Sequence, residues 1–225
     1  MEQARGLVIG GAVVPGTEWI RRDPRAWWAP ADSNDVRPRD GHRVTLALGH
    51  WGGGRHLVGE DAALAMYRAI EGRVRGDGSD MAVSCGLVIA WDGGTWQTAD
   101  LLDATIHVGD RRTYLRSVGI ETAWCGTVAQ ARKLGIAVGA TVTGEARGAR
   151  VQCVAPSAEL VASWRRLIDT LTRIEHPAVA IPRVAAPYVE RPRRGPEAGV
   201  CEHRDVPSAL EKIDAAGLLA GALGW

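Results

Sequence analysis

Phenylalanine is absent from the 225 residues, although nine tryptophans are present. Alanine, arginine and glycine are abundant alongside, so the gap reads as composition bias and points to no chemistry. Cysteine is scarce, with four residues at 85, 125, 153 and 201 and no C-x-x-C pair. That spacing argues against a zinc-finger cluster or a disulfide framework, and buried reduced thiols are expected. No apolar run approaches the ~20 residues needed to span a bilayer, so no membrane insertion is expected. The start, Met1-Glu2-Gln3-Ala4-Arg5 and a glycine-broken apolar run, makes a poor signal peptide. Cytoplasmic synthesis and folding are the expectation. Charge of one sign is also lacking: the formal net charge is +1, which gives no general pull toward nucleic acid.

What is present suits one globular domain, since a chain of this length can bury a single core. Leu7 to Val14 reads as a short hairpin turning at Gly10-Gly11. Trp19 to Pro30 carries prolines at a spacing that predicts an irregular wrap, and Arg37 to His42 is polar and expected to be exposed. Arg43 to Gly49 is a near-continuous apolar run, hence a central strand, and it delivers His50 at its end. Glu60 to Arg75 predicts a helix with Ala63, Met66, Tyr67 and Ile70 on one side. Ala82 to Trp91 and Thr95 to Thr98 predict a hairpin about Asp92-Gly93-Gly94.

Ser117 to Trp124 predicts a third core strand with one acid, Glu121, in it. Residues 126–154 read as strands and turns. Ser157 to Ile174 is the clearest helix, capped by Ser157 and striped by Leu160, Trp164, Leu167, Ile168 and Leu171. Pro177 to Pro196 predicts a long surface loop with Arg191, Arg193 and Arg194. Val200 to Glu202 predicts a short strand running into His203. The expected organisation is a single α/β domain, a central mixed β-sheet flanked by helices over residues 43–225, with residues 1–42 as an N-terminal extension packed on it.

Taken singly, His50 and His203 read as satisfied structural histidines. Asp214 reads as a solvated or capping carboxylate, and Asp205 as a helix cap. Taken together, two imidazoles and one carboxylate suit zinc, and three protein ligands leave a fourth tetrahedral position for water. Their separation in sequence fits no local zinc motif.

Six pieces occur in order: strand, His50, glycine-rich loop and helix; Ser84 to Gln97; Ala104-Thr105-Ile106-His107; Ser117-Val118-Gly119-Ile120-Glu121; His203-Arg204-Asp205; and Lys212-Ile213-Asp214. This order resembles the zinc-dependent N-acetylmuramoyl-L-alanine amidases, the amidase-2 and peptidoglycan-recognition-protein group that includes many phage endolysins. The resemblance runs from about Arg43 to Gly217. It implies Zn2+ held by His50, His203 and Asp214. It implies Glu121 as the acid that deprotonates water, Lys212 as the cation beside the developing oxyanion, and His107 as a substrate contact.

The implied activity is hydrolysis of the amide between N-acetylmuramic acid and the L-alanine of the stem peptide. The implied partner is peptidoglycan or a muropeptide, met by a monomer. The N-terminal wrap resembles that of phage-type members, which favours an endolysin. A recycling amidase for anhydro-muropeptides and a peptidoglycan-binding protein without hydrolysis stay open. The chain departs from the family at Trp51-Gly52, at Asp214-Ala215-Ala216-Gly217 and at Arg111 to Tyr114, positions that bear on glycan and peptide contacts.

Overall fold

A computed structural model describes residues 4–28, 36–51, 54, 56–71, 83–146, 149–184 and 198–202 of the chain. It opens with β1 (Ala4–Arg5) and the expected hairpin of β2 (Val8–Ile9) and β3 (Ala12–Val13). Gly10 and Gly11 turn it with φ of 59° and 79°, a left-handed region that glycine enters without steric cost. The Trp19–Pro30 wrap contains a strand, β4 (Arg21–Arg22), and one 3-10 turn over Pro24–Ala26. Asp23 caps that turn, its Oδ1 accepting from the Arg25 backbone N–H at 2.9 Å.

Next come β5 (Val36–Pro38), β6 (Leu46–Trp51), α1 (Ala62–Glu71), β7 (Leu87–Ile89), β8 (Thr95–Gln97) and β9 (Asp103–Thr105). Then follow α2 (Arg111–Arg116), β10 (Ser117–Thr122), α3 (Val128–Lys133), β11 (Thr141–Ala146), β12 (Ala149–Val154), α4 (Ala158–Leu171) and β13 (Gly199–Glu202).

Seven strands form one mixed sheet in the order β1-β4-β8-β7-β10-β6-β13. β7, β10, β6 and β13 run parallel, as buried apolar strands do when helices cover both faces. β8 returns antiparallel to β7 through the turn at Gly93, whose φ is 83°. This is the α/β sheet flanked by helices that the apolar runs predict. The extension expected over residues 1–42 contributes β1 and β4 to this sheet, β4 pairing with β8.

Alternation along β6 divides the core. Ala47 joins the cluster under α4, whose Leu160, Trp164, Leu167, Ile168 and Leu171 are all buried. Each such side chain stabilises the fold by about 1.5–3 kcal/mol. Leu46 and Leu48 face the other way, against Tyr114 and Leu115 of α2 and Cys201 of β13. α1 covers that same face further along, with Met66 and Ile70 in one cluster with Val88. α4 begins where the sequence places it, Ser157 accepting from the Leu160 N–H at 3.1 Å. All four cysteines are free and buried, as expected.

The expected exposure of Arg37 to His42 needs one correction. Arg39 is buried, 6% exposed, and donates to the carbonyls of Leu101, Asp103, Tyr114, Leu115 and Ser117 at 2.8–3.3 Å. Its planar fork of donors satisfies carbonyls at the end of α2 and around β9 that lie within the core. Burial pushes its pKa down to about 10, so it stays cationic at neutral pH. Gln97 makes a similar fixture. Its Oε1 accepts from the Val8 N–H at 2.6 Å, and its Nε2 donates to the Val8 and Ala99 carbonyls at 2.8 Å.

Candidate functional site

In β6 and β10 the register pairs Leu46 with Ser117, Leu48 with Gly119 and His50 with Glu121. Ser117, Gly119 and Glu121 therefore share the face of Leu46, Leu48 and His50, while Val118 and Ile120 turn to the opposite core. His50 and Glu121 come last in each set, at the carboxyl ends of parallel strands. That end is where open α/β sheets bind ligands. Both are buried, His50 at 2% exposure and Glu121 at 7%. The Thr122 hydroxyl donates to the His50 carbonyl at 2.6 Å and ties the two strand ends together.

His107 enters from the segment between β9 and α2 and is also buried, 6% exposed. Its Nδ1 lies 3.0 Å from His50 Nε2, and its Nε2 lies 2.9 Å from Ser117 Oγ. The two rings meet edge to face, with centroids 5.1 Å apart at 87°. Ser117 caps the end of α2, and its hydroxyl donates to the Thr113 carbonyl one turn back at 2.8 Å. Gly119 explains the middle of the Ser-Val-Gly-Ile-Glu run. A Cβ there would stand 2.5 Å from His107 Cγ, so only glycine lets the ring lie on the strand.

Of the sequence-derived candidates, the fold thus brings His50, His107 and Glu121 together. His203, Lys212 and Asp214 lie outside the described residues, as do Asp205, most of the arginine-bearing loop and the C-terminal segment. Among the described residues, no three His, Cys, Asp or Glu side chains gather as a metal cage. Of the three ligands that the resemblance implies, His50 alone is among the described residues, a buried imidazole at a strand end, which is a donor type that zinc accepts. β13 runs parallel to β6 on its other side, with Glu202 opposite Gly49.

One group near these strand ends escaped the sequence reading. His56 stacks on Trp91, 3.7 Å between centroids at 6°, and its Nε2 lies 3.0 Å from Cys125 Sγ. Burial pushes the His56 imidazole down and the Cys125 thiol up. The pair is therefore held neutral, the reverse of the thiolate–imidazolium state that activates a nucleophilic cysteine. Trp51, at the end of β6, meets Trp124 edge to face at 5.2 Å and 86°. No spacing rule links His56 to Cys125, and only the folded sheet does so.

No family model matches the chain, and no curated protein matches it. Among solved structures it is similar to one described as a crystal structure of a selenomethionine derivative of AmpD. The identity is 13% and the TM-score 0.43, over 89% of this chain and 87% of that one.

Proposed function

We propose that the chain is a zinc-dependent peptidoglycan hydrolase that cleaves the amide between N-acetylmuramic acid and the L-alanine of the stem peptide. The observation that carries this reading is the pairing of Glu121 with His50 at the carboxyl end of the parallel strands, with β13 alongside leading to His203. The ordered resemblance to the amidase-2 group supplies the rest of the set, with His203 and Asp214 as ligands beside His50. The looser resemblance of the N-terminal wrap to phage-type members supports an endolysin as the setting.

Zinc held by His50, His203 and Asp214 would supply Lewis acidity, polarising the scissile carbonyl and lowering the pKa of a water. Glu121 would take that water's proton as a C–O bond forms, and return it to the departing L-alanine nitrogen as the C–N bond breaks. Lys212 would place its ammonium beside the oxyanion of the tetrahedral intermediate. Both ring nitrogens of His107 are engaged, by His50 and Ser117. This favours support of His50 over the direct substrate contact expected from the resemblance.

The test is metal content together with dye release from purified peptidoglycan sacculi, with and without a chelator. One zinc per chain, release that stops on chelation and returns with zinc, and product masses with free L-alanine termini support the reading. Metal-free protein that binds sacculi and releases nothing would replace it with a binding protein.

A further inference from the structure

We infer that Ser117 and His107 are positioning residues that hold the proton of His50 on Nε2 and so leave the Nδ1 lone pair of that ring as the one a metal ion would take. This rests on the zinc reading above. The order of protons is set at the end of α2. The Thr113 carbonyl can only accept, and Ser117 Oγ lies 2.8 Å from it, so the single hydroxyl proton of Ser117 points there. With its proton spent, Ser117 Oγ can only accept from the neighbour at 2.9 Å, so His107 carries its proton on Nε2.

A neutral imidazole has one N–H, which leaves His107 Nδ1 as an acceptor. The atom 3.0 Å from it is His50 Nε2, which must then be the donor. His50 is thereby set as the Nε2–H form, with its lone pair on Nδ1. The reversed chain would leave the Ser117 and Thr113 oxygens facing each other at 2.8 Å with no proton between them, a repulsive contact inside the core.

The strand is shaped for this. The His107 side chain lies against Gly119, where an added Cβ would come within 2.5–2.9 Å of its Cβ, Cγ and Cδ2. Ser117 is fully buried, so no water competes for its hydroxyl. Metal-binding histidines almost always donate their second N–H to an acceptor that fixes tautomer and ring orientation. The acceptor in this chain is a second imidazole, itself oriented by a serine at a helix end.

The experiment reads nitrogen protonation directly, in the metal-free, 15N-labelled chain of 225 residues at a pH where both rings are neutral. Long-range 1H–15N spectra should show a protonated Nε2 and a bare Nδ1 on both His50 and His107. Ser117→Ala should mix the tautomers of both rings and weaken zinc binding about 10- to 100-fold in competition with a chromophoric chelator. Ser117→Thr, which keeps the hydroxyl, should restore both readouts. Gly119→Ala, which displaces the ring and leaves the hydroxyl, should disturb the same signals if Ser117→Ala does not fold.

A proton on Nδ1 of His50 in the wild type overturns the relay. So do Ser117→Ala spectra and zinc affinity equal to those of the wild type. The expected tautomers in a wild type that binds no zinc overturn the metal reading, and with it the purpose assigned here.

Discussion

Glu121 stands directly opposite His50 in the parallel register of β10 and β6, with both side chains on the same face of the sheet. A general base placed there is tested by Glu121→Gln, which keeps the volume and removes the charge. Release of dye from sacculi should fall about 10^2- to 10^4-fold while zinc content stays at the wild-type level. Turnover within twofold of wild type would reject the role. His203→Ala should lose metal as well as activity.

Arg39 tests the frame rather than the chemistry. Its guanidinium is the shared partner of five backbone carbonyls. Arg39→Met fills the space and leaves those acceptors without their donor, so urea unfolding should report a loss of about 3 kcal/mol or more. Arg39→Lys should recover little, because one ammonium cannot serve the spread of a planar fork. Equal stability of the methionine variant would show that water satisfies these carbonyls instead.

Acid should weaken the fold through His56. Burial lowers its pKa in the folded protein, while the unfolded chain takes up the proton at the ordinary imidazole value of about 6.5. Below that value the unfolded state binds more protons, so stability falls as pH drops toward the lowered folded pKa. His56→Phe keeps a ring on Trp91 and should flatten this limb in urea midpoints measured from about pH 8 to 5. Asp23 acts in a separate window. Its hydrogen bonds from Arg25 lower its pKa, so its contribution is present above the ordinary carboxylate value of about 3.9 and is lost as pH falls below it.

Gly126 carries two constraints that a mutant cycle separates. Its φ is 74°, and a Cβ would stand 2.3 Å from the Trp51 ring. Gly126→Ala should cost about 2–5 kcal/mol, the sum of left-handed strain and overpacking. In a Trp51→Ala background the clash is gone, and about 1–2 kcal/mol should remain from the backbone alone. An unchanged penalty would assign the whole cost to φ.

The parts of the fold visible in the sequence are those fixed by local pattern. Apolar runs mark β6, β7 and β10, Ser157 and the Leu160-to-Leu171 stripe mark α4, and glycine pairs mark two hairpins. α3 falls in the 126–154 stretch read as strands and turns, and α2 in a stretch for which the sequence predicts no element. Asp110 and Thr127, which cap them, are the local signals, accepting from the Thr113 and Gln130 N–H groups at 3.0 and 3.1 Å. Both helices are six residues long, too short to display an apolar stripe. His50 and Glu121 are legible as strand-end residues, whereas the bond from His50 to His107 spans 57 positions. Arg39 and Gln97 look like ordinary surface residues until registers 62 to 89 positions away enclose them. Cross-sheet register has no signature in a single stretch of sequence.

The strand order also sets a sequence of events during synthesis. β6 gains β10 once residue 122 has emerged, but its other edge waits for residues 199–202. Until then the strand bearing His50 presents unpaired N–H and C=O groups, a template for a neighbouring nascent chain. A chain stalled within α4 already holds His50, His107 and Glu121, yet it ends in an adhesive edge instead of a finished sheet. Closing the sheet and delivering the segment that leads to His203 are therefore one late step. Conditions that slow it, such as crowded overexpression at high temperature, select for aggregates of chains that are three-quarters built.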